Sequence, residues 1–183
     1  ALSVLDREPY VQMNMTSDSD AATNTAKIAV DIECLRLPSC AQTVFNIMLS
    51  QDSIIAPQSN GGSGYVHNAV ARGNIVGSAW GRLVSLKEGE TLHYETNYTL
   101  PASIESTAGT SYEGFAPNIA TEASNMKLTA YVAAYSENDY NGTEVFNCVQ
   151  IPLVKSATGI SAVNSDVRNV VRYNLSGQRV GEQ

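Results

Sequence analysis

Apolar and polar residues alternate with period two along most of the first 155 positions, which is the rhythm of strands with one buried face. In "TLHYETNYTL", Leu92, Tyr94, Thr96, Tyr98 and Leu100 fall on one side, and Thr91, His93, Glu95, Asn97 and Thr99 fall on the other. "AKIAVDIEC" sets Ala26, Ile28, Val30 and Ile32 against Lys27, Ala29, Asp31 and Glu33. "PYVQMNM" sets Val11, Met13 and Met15 against Tyr10, Gln12 and Asn14, and "FNIML" sets Phe45, Ile47 and Leu49 against Asn46 and Met48. "KLTAYVAAY" aligns Leu128, Ala130 and Val132, and "EVFNCVQIPL" aligns Val145, Val149, Ile151 and Leu153. The less regular "YVHNAVARGNIVGSAWGRLV" predicts one further strand, broken by Gly73 and Gly77.

The punctuation agrees with strands. Asn141-Gly142 suits the positive φ angles of a tight hairpin, and "RLPS" turns the chain between the second and third strands. Helical spacing is sustained nowhere; "NIATEASNMK" predicts one short helical turn within the long connection from 101 to 125. Six or seven strands, each with one apolar face, need a second layer to cover them. The expected fold is therefore all-β: an immunoglobulin-like β-sandwich of about seven antiparallel strands over residues 1–155, without the Cys…Trp…Cys signature of antibody domains. Residues 156–183 read as a linker followed by a partial tail hairpin in "VVRYNLSGQRV", a short C-terminal extension.

Composition narrows the function classes. A 43% hydrophobic fraction over 183 residues supports one sizeable core. The net charge of -7, with basic residues dispersed, argues against nucleic acid as a partner. No apolar run approaches the roughly 18 to 20 residues that a membrane-spanning helix needs. The sequence starts without an initiator Met or a signal peptide, which predicts a processed protein or part of a larger chain. Cys34 and Cys40 lie in a C-x5-C pair that matches neither zinc nor redox spacing, leaving a loop-closing disulfide or two free thiols as alternatives. Cys148 then reads as a small unpaired residue.

Four stretches together resemble a known family. "FNIMLSQDSIIAPQ", "YVHNAVARGNIVGSAWG", "TLHYETNYTLP" and "KLTAYVAAYS…EVFNCVQIPL" resemble the C-terminal domain of the twenty-eight-kilodalton outer-membrane-protein family of Bacteroidetes, from about Tyr10 to Leu153. The most specific element is Tyr65, His67, Asn68, Val70 and Arg72 followed by Trp80-Gly81. The family usually has a second His where this chain has Ala69, and an acidic residue where it has Arg82. Longer members carry a thioredoxin-like domain with a C-x-x-C motif; that motif is not in this sequence, so the resemblance implies no redox activity here. It implies an immunoglobulin-like module at the outer membrane or cell surface. "VRYNLSGQRV" is in turn similar to the opening of the sorting signal of type IX export, and the chain stops at Gln183 before the rest of that pattern.

Candidate chemistry is sparse. Asp52, Ser63 and His67 supply the residue types of an acyl-transfer triad, with Gly61, Gly62 and Gly64 around the serine, but Tyr65 stands where a nucleophile elbow needs glycine. The blander reading makes "SNGGSG" a loop and gives the His67 ring to backbone hydrogen bonds. Asp18, Asp20 and Asn24 offer oxygen ligands in a turn but lack the Gly and Glu of a calcium loop, so no metal or cofactor is expected. Among the aromatics Tyr10, Tyr112, Phe115, Tyr135 and Tyr140, the pair Tyr112 and Phe115 in "TSYEGFAPN" forms the candidate interaction loop, the favoured alternative being that both rings tuck into the sandwich mouth and anchor that loop. Trp80 is expected in the core. The sequons at Asn14, Asn97, Asn141 and Asn174 carry no functional weight. The functional expectation is a non-catalytic surface module contacting a protein or a glycan. Its alternatives are a hydrolase using the 52–67 region and a structural spacer.

Overall fold

The computed structural model describes residues 8–105, 118–136 and 143–154, together with the backbone of two short strands near the C-terminus. The strands are β1 (Val11–Asp20), β2 (Thr25–Cys34), β3 (Gln42–Gln51), β4 (Ile54–Gln58), β5 (Gly62–His67), β6 (Val70–Asn74), β7 (Arg82–Val84), β8 (Thr91–Thr99), β9 (Ser103–Glu105), β10 (Asn118–Ala120), β11 (Met126–Tyr135) and β12 (Val145–Pro152). A 3-10 turn at Ala123–Asn125 falls inside the segment whose spacing predicts a helical turn. β13 (Arg172–Tyr173) and β14 (Arg179–Val180) pair antiparallel within the tail.

Two antiparallel sheets face each other. One runs β1-β2-β8; the other runs β12-β11-β3-β6, with β7 also pairing β3. β6 and β7 thus share one edge of β3, and the all-β sandwich expected from the alternation is the observed architecture. Val11, Met15, Ile28, Val30 and Ile32 of the first sheet meet Phe45, Ile47, Leu49, Leu128 and Val132 of the second in one buried core. Each such side chain contributes about 1.5–3 kcal/mol on burial, so the inner faces dominate the stability.

The sandwich is stitched along one side. Ser17 Oγ donates to the Leu153 carbonyl at 2.6 Å, and Asn147 Nδ2 donates to the Val11 carbonyl at 2.9 Å. At the opposite side Tyr94 of β8 packs edge-on against Phe45, with centroids 5.3 Å apart, and lies under the Arg82 guanidinium.

The alternation misjudges three places. Asn46 is expected on the solvent side of β3 but is fully buried, because β3 is covered on both faces. Its Nδ2 donates to Asn74 Oδ1 at 3.0 Å and has the Ser78, Ala79 and Tyr131 oxygens within reach at 3.3–3.4 Å for its second hydrogen. A bulge between Val132 and Ala133 inserts Phe146 into the β12 ladder, so Val145 is 56% exposed and Phe146 turns against the core. The stretch from Tyr65 to Val84 holds parts of three strands rather than one, and Trp80 is 51% exposed rather than buried. Glycine explains that exposure. Gly81 has φ +86, and a Cβ there would come within 2.5 Å of the Phe45 carbonyl oxygen, so the loop lies flat on β3 and the indole is left outside.

Gly81→Ala should therefore destabilise the fold by about 3 kcal/mol, combining left-handed strain with overpacking. Gly89→Ala, at φ +76 with no atom within 4 Å of its Cβ position, should cost only about 1 kcal/mol. Urea melts of the two variants would check this; equal losses would contradict the close approach.

Candidate functional site

β3 and β6 continue into β4 and β5 as one ribbon: Gln51 pairs with Val70, and three residues further on Ile54 pairs with His67. Between the two ladders lie Asp52 and Ser53 on one strand and Asn68 and Ala69 on the other. Ser53 (φ 62) and Ala69 (φ 54) both adopt the left-handed region that non-glycine residues rarely occupy. A reciprocal pair of side-chain bonds holds them there. Ala69 N–H donates to Asp52 Oδ1 at 2.7 Å, and Ser53 N–H donates to Asn68 Oδ1 at 3.0 Å. Short Asx side chains satisfy neighbouring backbone donors at such corners, and here they do so across the ribbon.

Asp52 is tied further. Its Oδ2 meets Lys127 Nζ at 2.5 Å, and its backbone N–H donates to Asn125 O at 2.9 Å. The Lys127 ammonium first, then the Ala69 N–H, hold its carboxyl below the usual carboxylate range. His67 Nε2 donates to the Ala56 carbonyl at 3.3 Å, and its ring meets Tyr65 edge-on at 4.8 Å. Ser63 stands four residues along the same strand, about 13 Å from His67 at the rise of an extended chain. The triad geometry is therefore not assembled, and its acid is held by a lysine and a backbone amide.

Arg72 stands in the Tyr65–Arg72 run, but the alternation gives no sign of its position. The ladder passes from Leu49–Gly73 to Ser50–Ala71, which leaves Arg72 as the extra, bulged residue of β6. Its guanidinium is buried and reaches the hairpin formed by β9 and β10, donating through one terminal nitrogen to Ile119 O at 2.9 Å and Ile104 O at 3.3 Å. Burial lowers its pKa. Gln51 Nε2 donates to Ala120 O at 3.1 Å, and Thr121 N–H donates to Ala102 O at 3.0 Å. The two strands that emit residues 106–117 are thus bolted to the sandwich by a buried cation and a buried amide.

The other candidates do not converge on this place. Tyr112, Phe115 and Tyr140, like the Asn141-Gly142 turn, lie outside the described residues. Tyr10 packs on Phe146 at 5.0 Å and under Arg36, and Tyr135 ends β11 half-buried. Asp20 caps its own turn, accepting from Ala22 N–H at 2.9 Å and Thr23 Oγ1 at 3.0 Å, with its carboxyl held low by the first of these. Among the described residues no three His, Cys, Asp or Glu side chains gather as metal ligands. Cys34, Cys40 and Cys148 are free thiols in this structure; burial pushes the Cys34 thiol up, and Cys40 Sγ lies 3.6 Å from Thr43 Oγ1. A surface recess of about 470 Å³ lies between residues 37–43 and 83–86, walled by Leu37, Leu83 and Leu86.

No family model and no curated protein matches the chain. Among solved structures it is similar to HBP35 of Porphyromonas gingivalis, with a TM-score of 0.59 at 12% identity, covering 94% of this chain and 56% of that one. It also aligns with a domain of the outer membrane lipoprotein Omp28 from Porphyromonas gingivalis, over 79% of this chain and 88% of that one, at 17% identity and a TM-score of 0.46. The likeness to HBP35 is one of fold, and this chain spans about half the length of that protein.

The Asp52 clasp has a pH signature. A carboxyl whose folded pKa lies below its unfolded value of about 3.8 adds stability above that value and loses it as pH falls through the folded value. Asp52→Asn should therefore lower the melting temperature at about pH 7, and its gap from wild type should be narrower at about pH 3. A gap that is equal at both pH values would contradict the ionic clasp.

Proposed function

We propose that the chain is a non-catalytic module at the outer membrane or cell surface, built to present residues 106–117 to a protein or glycan partner. The observation that carries the reading is the anchorage of the β9–β10 hairpin. A buried arginine and a buried glutamine hold the carbonyls of Ile104, Ile119 and Ala120, so the loop leaves the sandwich from a fixed base. Binding segments work best when their ends are pre-organised, since less ordering entropy is then lost on association. The loop sequence "TSYEGFAP" supplies Tyr112 and Phe115, aromatics of the kind that carry most contact energy at interfaces. The surface location rests on the resemblance of residues 10–153 to the Bacteroidetes outer-membrane family. The sandwich is taken as immunoglobulin-like in kind, and the unit ends near residue 155, ahead of a tail that serves export or attachment.

The hydrolase alternative loses its support with the separation of Ser63 from His67, and a serine-reactive phosphonate should leave the protein unlabelled. The spacer alternative differs in one outcome. Probed against arrayed glycans and extracellular proteins, the chain should retain at least one of them, and Tyr112→Ala with Phe115→Ala should weaken that binding tenfold or more, about 1.4 kcal/mol, without shifting the melting temperature. Undiminished binding would move the contact elsewhere, and no binding at all would favour the spacer.

A further inference from the structure

Among the described residues the backbone of β8 has one paired edge and one unpaired edge, and the register says which residues face each. β8 pairs β2 without a break, from Thr25–Thr99 to Glu33–Thr91. Just beyond its ends, Leu100 N–H donates to Asn24 O and Cys34 N–H donates to Glu90 O. Even-numbered backbone groups therefore point at β2, and the N–H and C=O groups of Thr91, His93, Glu95, Asn97 and Thr99 point away from it. Among the described residues no strand pairs with that outer edge.

Edges left unpaired are usually guarded by proline, lysine, a bulge or an inward charge. β8 has none of these over its nine residues, and its side chains alternate cleanly between half-buried and exposed. Its two ionisable exposed side chains are already matched from β2: Glu95 meets Lys27 at 3.1 Å, and His93 Nδ1 meets Asp31 at 2.6 Å. An incoming strand would thus meet a flat edge without a repelling charge.

We propose that this edge pairs with a second copy of the chain, antiparallel about a two-fold axis at Tyr94, joining the two β1-β2-β8 sheets into one continuous sheet. The register follows from side-chain complementarity. Centred on Tyr94, His93 lies opposite the second copy's Glu95, and Thr91 lies opposite its Asn97. Tyr94 meets its own counterpart on the inner face, where aromatic pairs stabilise a sheet. On the outer face the His93 ring then meets the second copy's Glu95, extending the Lys27–Glu95 and His93–Asp31 contacts across the junction. Centring on Glu95 would oppose two carboxylates, and centring on Thr96 would place Glu95 against Asn97 and forfeit the His93–Glu95 pair. The pairing stands independently of what residues 106–117 bind.

The test uses proline at positions whose N–H is not needed within the sheet. Asn97→Pro removes an outward N–H inside the paired stretch and leaves the β2 ladder intact; Thr99→Pro removes one just outside it. Sedimentation of the full chain should show wild type and Thr99→Pro approaching twice the 19.6 kDa monomer mass as concentration rises, with Asn97→Pro remaining monomeric. A wild type that stays monomeric up to about 1 mM overturns the proposal. So does a dimer indifferent to Asn97→Pro, and loss of the dimer in Thr99→Pro overturns the register. If Asn97→Pro fails to fold, amide exchange on wild type decides. Exchange at Thr91, His93, Glu95 and Asn97 should slow with rising concentration while Thr99 does not change, and rates independent of concentration sink the pairing.

Discussion

A strand covered on both faces must find partners for the buried amide nitrogens it carries, and β3 brings Asn46 and Gln51 into that position. The inner face is routine: Phe45, Ile47 and Leu49 fill the core between the sheets. The outer face sets the design of half the molecule. Asn46 draws Asn74 and the 78–81 loop onto the sheet, and Gly81 allows the approach. Gln51 reaches the other way, to the β9–β10 hairpin. A hydrophobic residue at either position would make the sheet more apolar and leave those connections without an anchor.

The same constraint gives meaning to the "HNAVAR" run. Its His, Asn and Arg are chemically versatile, yet each is engaged with backbone. His67 bonds the Ala56 carbonyl, Asn68 bonds the Ser53 amide, and Arg72 bonds the Ile104 and Ile119 carbonyls. The run is a set of fasteners along one ribbon. It redirects the chain at two left-handed corners and then clamps a second hairpin beside it.

The parts readable in the sequence are those where one periodicity governs. β2 and β8 alternate without interruption, and their buried and exposed sides match the pattern residue by residue. The pattern fails wherever an inserted residue or a covering loop intervenes. Arg72 and Phe146 occupy bulges, each of which shifts the register of the ladder, and a bulge leaves no mark in composition. Asn46 looks solvent-facing by parity, and only the fold of residues 74–81 over it makes it interior. Trp80 fails for a related reason: large aromatics are usually buried, but this one sits beside a glycine whose absent Cβ holds the loop down and the indole out. In the candidate site, Asp52 and His67 stand out in the sequence by residue type. Their partners Lys127 and Ala56 do not, because sheet pairing brings them close and sequence distance hides it.

Amide hydrogen exchange on wild type and Arg72→Leu tests the central claim most directly, since local opening is read strand by strand. If the buried guanidinium fixes the base of the presenting loop, exchange should accelerate in Ser103–Glu105 and Asn118–Ala120, while Ile28 to Ile32 and Leu128 to Val132 keep their protection. Unaltered rates in β9 and β10 would show that the hairpin holds without Arg72 and would contradict the account.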